Sequence, residues 1–222
     1  MQYIEKLKNS CNAVDGTFND AIRESTMIAD LVRKTRSCRR FNENRKITMA
    51  SLKQLVDLGR LSASAANRQP LKYILSCTPE TNNKIFPCIG WAAYLKDWEG
   101  PEKGERPAAY IVLLGDTTIS NEFWCDHGIS GQSILLGATE MGLGGCFIGA
   151  INKDRLRKEL NIAPAFTIML IIALGEPAEE IIIESTADTH GNIRYWHDKK
   201  GTHHVPKRPL DEVIVGTYNG SE

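Results

Sequence analysis

Residues 165–177 read AFTIMLIIALGEP, the longest apolar run in a chain of 222 residues. From Phe166 to Leu174 the run predicts a strongly hydrophobic β-strand, closed by Gly175-Glu176-Pro177. It is about half the length a bilayer span needs. Working outward, Lys153 to Leu160 has the pattern of a charged amphipathic helix, and Gly144 to Ile151 that of a strand. The longest helix is expected from about Phe123 to Met141, with apolar and small positions so extensive that it must be largely buried. Ala109 to Leu114, ending in Gly115-Asp116, has the pattern of a strand buried on both faces. Leu71 to Cys77 is a further strand, and Thr78 to Pro87 a turn leading into a short helix. Thr48 is a good N-cap for a helix carrying Leu52, Leu55, Val56, Leu58 and Leu61. Ile22, Met27, Ile28, Leu31 and Val32 keep helical spacing up to the basic run RKTRSCRR. Trp91 to Pro107, aromatic, charged and glycine-rich, suits a surface excursion or lid. The tail from Ser185 is polar and ends in HHVPKRPLDEVIV, where a short apolar strand is expected after a basic turn. Alternating helices and buried strands indicate an α/β or α+β sandwich. Residues 1–20 are expected to be an N-terminal extension, and 21–222 a single domain.

The chain carries 27 Lys+Arg against 27 Asp+Glu, a formal net charge of zero. That balance argues against duplex nucleic acid or an anionic membrane as the main partner, since both need a net basic footprint. Six cysteines, Cys11, Cys38, Cys77, Cys88, Cys125 and Cys146, are scattered singly without a C-x-x-C pair. Zinc-ribbon and thioredoxin patterns are absent, and a reducing compartment is the simpler setting. The first residues lack the apolar core of a secretory signal, so a cytoplasmic protein with no membrane anchor is expected.

The glycine-rich stretch MGLGGCFIG, residues 141–149, does not match G-x-G-x-x-G, because counting from Gly142 puts Phe147 at the third glycine. Two accounts of it stand equally: a helix C-cap at Gly142 or Gly144, or a backbone passing close to a flat ligand. His190, His197, His203 and His204 have no matching ligand spacing, so a solvated turn is expected and no metal site. Asp126, His127 and Ser130 share one helix and make no hydrolase triad. Cys146 is expected to be a buried structural thiol. Three polar groups lie at element ends: Arg36-Ser37-Cys38-Arg39-Arg40, then Ser62 through Pro70 (SASAANRQP), and Pro206-Lys207-Arg208-Pro209. Each alone is an ordinary helix end or turn. Together, arginine forks and a lysine from opposite ends of the chain could converge on a phosphate, while Asn and Gln amides could read a heterocycle edge.

In these residues the sequence resembles the nitroreductase family of FMN-dependent oxidoreductases. The resemblance rests on Thr35-Arg36-Ser37-Cys38-Arg39-Arg40-Phe41, Ser62 through Pro70, Asp126 to Gln132 running into GATEMGLGG, LGEP at 174–177, and the closing KRPLDEVI. These occur in family order over about residues 24–215. The resemblance implies an α+β three-layer fold with a central, mostly antiparallel sheet flanked by helices. It also implies a homodimer with exchanged terminal segments and FMN at the subunit interface. Arg36 and Ser37 would then hold the FMN phosphate and ribityl end with Lys207 and Arg208, and Arg39 would face the flavin pyrimidine edge. Ser64, Ala65 and Asn67, supported by Gln69, match the loop reaching the flavin from the second subunit. The backbone from Cys146 through Ile148 to Gly149 matches the segment passing the flavin face, which favours close approach for the glycines. Trp91 and Tyr94, with Trp98, would wall the substrate site, although packing in a lid accounts for them equally well. Thr35, Ala63 and Leu71 depart from the family pattern.

The implied activity is hydride transfer from NADH or NADPH to FMN and on to an electron-poor acceptor, a nitroaromatic, a quinone or similar, by a ping-pong mechanism without a side-chain acid or base. A flavin-storage or sensing module, a reductive dehalogenase and a flavin-consuming enzyme are the alternatives on the same fold.

Overall fold

The computed structural model describes residues 27–95 and 98–218. The expected extension over 1–20, Cys11 and the start of the first helix at Ile22 lie outside them. The chain divides after Lys34 into two units. Of the first, helix α1 (Met27–Lys34) is described, with an Arg33–Asp30 ion pair along its surface.

In the second unit the strand expected from the apolar run is β5 (Phe166–Pro177), and it organises the main sheet. Along one edge it pairs with β3 (Ala109–Asp116), and β3 in turn pairs with β2 (Leu71–Ser76). Along the other it pairs with β4 (Gly144–Ile148), while its end pairs with the short β1 (Phe41–Asn42). Every pairing in this five-stranded sheet is antiparallel.

Side chains of β3 alternate between two apolar layers, as period two requires. Ile111 and Leu113 join Leu52 and Leu55 of α2 (Met49–Leu61) and Ile134, Leu135 and Ala138 of α4 (Asp126–Glu140). Tyr110, Val112 and Leu114 face the opposite layer, with Ile85 of α3 (Pro79–Ile85) and Leu156 of α5 (Lys153–Glu159). The sheet therefore lies between two helical layers. On β5, Ile172 and Leu174 face the first layer and Ile171 and Ala173 the second. Ile168 breaks that parity by facing the second layer, because the register slips by one residue where Leu113 pairs Leu170 and Leu114 pairs Ile168. The bulge lets Ile168 join the second layer, while residues 171–175 are buried without interruption.

Local signals account for the element ends. The Thr48 hydroxyl accepts the Ser51 N–H at 3.0 Å at the start of α2, and Asn152 caps α5 in the same way through the Arg155 N–H. Helix α4 stops at Gly142, whose φ of +73° suits a residue without Cβ, and the Leu143 N–H reaches the Ala138 carbonyl at 2.8 Å. The described residues between 90 and 108 form no helix or strand, and Trp91 packs against the second layer.

A second, three-stranded sheet joins β6 (Ile181–Ser185), β8 (His203–Lys207) and β7 (Trp196–His197), with β6 and β8 parallel and β7 antiparallel to β8. This corrects the tail. The strand is the histidine-rich segment 203–207, and Leu210–Val213 is a helical turn, α6, instead of the expected strand. No described helix is long and apolar enough to cross a membrane.

The junction of β1 with β5 is tight. A Cβ on Gly175 would lie 2.7 Å from the Cβ of Phe41, which is fully buried and cannot retreat. Gly175→Ala should therefore cost about 1–3 kcal/mol in urea unfolding. Gly128→Ala, on α4 with nothing within 4 Å, should cost nothing and gain up to ~1 kcal/mol of helix propensity. Equal stabilities for the two variants would contradict the packing account.

Candidate functional site

Cys38 is the point at which the first polar group meets the sheet. Its N–H donates to the Gly145 carbonyl at 3.0 Å, and Ser37 bridges to Gly145, so residues 35–40 run beside the start of β4. The glycines of β4 permit this approach: a Cβ on Gly144 would lie 2.8 Å from Pro177 and 3.1 Å from Cys38. Thr35, where the family motif has arginine, is buried and shares a 2.8 Å hydrogen bond with the Thr139 hydroxyl on α4.

Arg36, Ser37 and Arg39 from this segment meet Lys207, the last residue of β8, around a cavity of about 300 Å³. Gln132 and Leu135 of α4, Phe147 of β4, and Tyr195, His203 and Val205 complete its wall. Burial lowers the pKa of the Arg36 guanidinium, which remains a cation because no ordinary environment deprotonates arginine. The Arg39 guanidinium sits 4.8 Å over the Tyr195 ring and donates to the Ser37 carbonyl at 3.3 Å. Three cations and a hydroxyl thus line one concave surface in a chain with no net charge, an arrangement that attracts a compact anion such as a phosphate.

Behind this wall lies a carboxylate. Glu179 Oε1 accepts the Arg39 N–H at 2.5 Å and the Arg40 N–H at 3.2 Å. Its Oε2 lies 3.1 Å from His197 Nε2 and 3.7 Å from His203 Nδ1. The expectation of a solvated histidine turn holds for His190, which is exposed in a turn, and is corrected for the other three: His203 is 1% exposed, His197 and His204 are mostly covered, and His204 bonds Glu184 at 2.7 Å. Burial holds the His203 imidazole below its ordinary pKa, with Glu179 opposing and Arg39 adding to the effect.

The other expected residues divide. Arg208 is exposed and pairs with Glu212 one helical turn on, and it is not among the residues lining the cavity. Cys146 and Ile148 point into the second core layer, and burial pushes the Cys146 thiol up to about 12, so it stays protonated. Gly149 lies just beyond β4, exposed, with the nearest atom to a notional Cβ at 3.9 Å. The glycine run thus divides between a helix cap at Gly142, close protein packing at Gly144 and Gly145, and one open position. Phe147 lines the cavity without a role read from the sequence, although alternation between the inward Cys146 and Ile148 turns it outward.

Ser64, Ala65, Asn67 and Gln69 belong to a separate loop. The Ser64 hydroxyl donates to Asp126 Oδ2 at 2.6 Å, and the Ala65 N–H donates to Oδ1 at 3.0 Å. Asn67 and Gln69 are exposed and bonded to each other at 3.1 Å, and both have positive φ, as has Ala66. Ser64 and Gln69 line a second depression of about 190 Å³ with Tyr73 and Ser130. Trp91 packs against Phe86 and Trp98, whereas the exposed Tyr94 meets Tyr195 in a tilted pair with ring centroids 5.1 Å apart.

The sequence model of the Nitroreductase family matches residues 32–176. A Methanothermobacter thermautotrophicus protein provisionally named NADH dehydrogenase/NAD(P)H nitroreductase is 27% identical over 159 residues, covering 68% of this chain and 78% of that protein. Among solved structures, a provisionally assigned nitroreductase from Desulfovibrio desulfuricans in complex with FMN matches at a TM-score of 0.61 and 20% identity, over 89% of this chain and 99% of the other. An FMN-dependent nitroreductase from Clostridium difficile R20291 matches at 0.56 and 22% identity, over 68% and 87%. These structural likenesses establish the α+β three-layer fold.

Asp126 carries the 62–70 loop through its two carboxylate oxygens. Hydrogen bonds to a charged acceptor contribute about 1.5–3 kcal/mol each, so Asp126→Ala should speed amide exchange at Ala65 about 10- to 100-fold. Unchanged exchange at Ala65 would show that the loop is held by something else.

Proposed function

Because the chain belongs to the nitroreductase family, we propose that it is an FMN-dependent oxidoreductase that passes a hydride from NADH or NADPH to an electron-poor small molecule. The observation that carries this reading is the meeting of Arg36, Ser37, Arg39 and Lys207 on one cavity. The names of the relatives, as NAD(P)H nitroreductases and FMN-dependent proteins, support the choice of anion and of electron donor.

The donor set fits the phosphate end of FMN. Arg36 would grip it as a planar fork, Lys207 would add a point charge, and the Ser37 hydroxyl would donate one further hydrogen bond. Arg39, already oriented by Tyr195 and the Ser37 carbonyl, would stabilise the negative charge that builds on the ring system as it is reduced. Held there, FMN would supply the redox chemistry, hydride transfer between a reduced nicotinamide and an electron-poor acceptor. The chain's own part is orientation, cation placement and exclusion of water. Phe147 and the Tyr195–Tyr94 pair would offer the apolar face against which flat ligands stack. Trp91, held between Phe86 and Trp98, would anchor that segment without meeting the acceptor.

A cavity of about 300 Å³ is at the lower end for a small-molecule site. The loop bearing Ser64, Ala65, Asn67 and Gln69 borders a different depression on the same chain. Two partial sites support a homodimer in which the loop of one chain completes the flavin site of its partner.

The purified protein should show a flavin absorbance spectrum that bleaches on anaerobic titration with NADH or NADPH. Arg36→Ala should weaken FMN by about tenfold or more, the value of one charge-assisted hydrogen bond, with Arg208→Ala much less affected. Flavin that binds but does not bleach would make this a storage or sensing protein, and equal retention by both variants would overturn the phosphate assignment.

A further inference from the structure

Glu179, His197 and His203 are distant in sequence but present three ligand atoms within 4.8 Å of one another. The geometry is set by the second sheet. His197 and His203 are directly opposed across the antiparallel β7–β8 pair, and Glu179 leads into β6 on the other side of β8. The His203 N–H donates to the Glu180 carbonyl at 2.8 Å, which fixes β8 against the residue next to Glu179.

Two features separate this cluster from an ordinary histidine–carboxylate contact. The Glu179 and His203 side chains are each 1% exposed, and neither ring nitrogen of His203 has a hydrogen-bond partner among the described residues. Buried polar atoms in native proteins are almost always partnered, so the His203 nitrogen aimed at Glu179 marks a missing ligand. In addition, Glu179 Oε1 is held by the N–H groups of Arg39 and Arg40, leaving Oε2 directed at both imidazoles. Outer hydrogen bonds that orient a carboxylate in this way are typical of metal ligands.

We propose that Glu179, His197 and His203 form a binding site for a divalent ion of the zinc class. A tetrahedral ion with bonds of about 2.0–2.1 Å separates its ligand atoms by about 3.3 Å. The Glu179 Oε2 distances of 3.1 Å to His197 and 3.7 Å to His203 bracket that value. Two imidazoles and one carboxylate suit zinc, with the fourth position open to water. Bound there, the ion would staple the β7–β8 pair to the segment that carries Arg39, one layer behind the cation-lined cavity that His203 also borders. The site goes beyond the flavin reading and does not depend on it.

The test uses full-length protein freed of metal by chelator dialysis and titrated with Co²⁺, followed by displacement with Zn²⁺. The expected result is a visible d–d band of four-coordinate Co²⁺ that saturates at one ion per chain and disappears on adding Zn²⁺, with Zn²⁺ alone raising the Tm. His197→Ala, at the more accessible ligand, should weaken binding at least about tenfold. His204→Ala removes an imidazole whose Nδ1 is already bonded to Glu184 at 2.7 Å and which lies outside the cluster, and should leave binding intact. Absence of a saturating band in the unaltered protein, or binding lost in His204→Ala and kept in His197→Ala, would overturn the proposal. The unaltered protein's band decides the matter even if a variant does not fold.

Discussion

One buried carboxylate ties the sheet to the candidate site. Glu179 follows the end of β5 and accepts two backbone N–H groups from Arg39 and Arg40, while the Ala178 N–H donates to the Arg40 carbonyl at 2.9 Å. A carboxylate that is 1% exposed loses most of its hydration, and only close hydrogen-bond donors offset that loss. Its position therefore dictates where the Arg36–Arg40 segment must lie. The segment is clamped at Glu179 on one side and at the Gly145 carbonyl on the other, and Arg36 and Arg39 are brought to the end of β8, where Lys207 waits.

The strand that leads to Glu179 is also the one on which the layers are built. With β3 on one edge and β4 on the other, β5 fixes which residues of three strands face each helical layer. Cys146 and Ile148 turn inward for that reason, and Phe147 turns outward to the cavity. Close packing at Gly144 and Gly175 lets β1 and residues 35–40 approach the sheet without an intervening side chain. Hydrophobic burial, strand alternation and one desolvated carboxylate thus account for the placement of three positive charges in a chain whose net charge is zero.

The strands β3 and β5 were legible because a continuous apolar run of that length has few other solutions, and the start of α2 because Thr48 is a strong cap. Arg36, Ser37, Arg39 and Lys207 stood out by lying at element ends, and the structure brings all four to one cavity. The histidines were not legible. Glu179 precedes His197 and His203 by more than any local motif spans, and only the β7–β8 pairing opposes the two rings. Arg208 shares a dipeptide with Lys207, yet it lies just ahead of the α6 turn, whose Glu212 pairs with it. In the 141–149 run, composition could not tell a helix cap from a backbone passing close to a ligand; the structure puts a cap at Gly142 and packs Gly144 and Gly145 against protein.

The central claim is that the cationic cavity recognises a phosphate, and riboflavin is FMN without one. The most direct test is the ratio of riboflavin Kd to FMN Kd, measured by quenching of flavin fluorescence on the same protein. Two or more charge-assisted contacts from Arg36, Ser37 and Lys207 predict a ratio of at least about 100. A ratio near one would contradict the account, because Arg36, Lys207 and the Ser37 hydroxyl would then have no part in holding a phosphate.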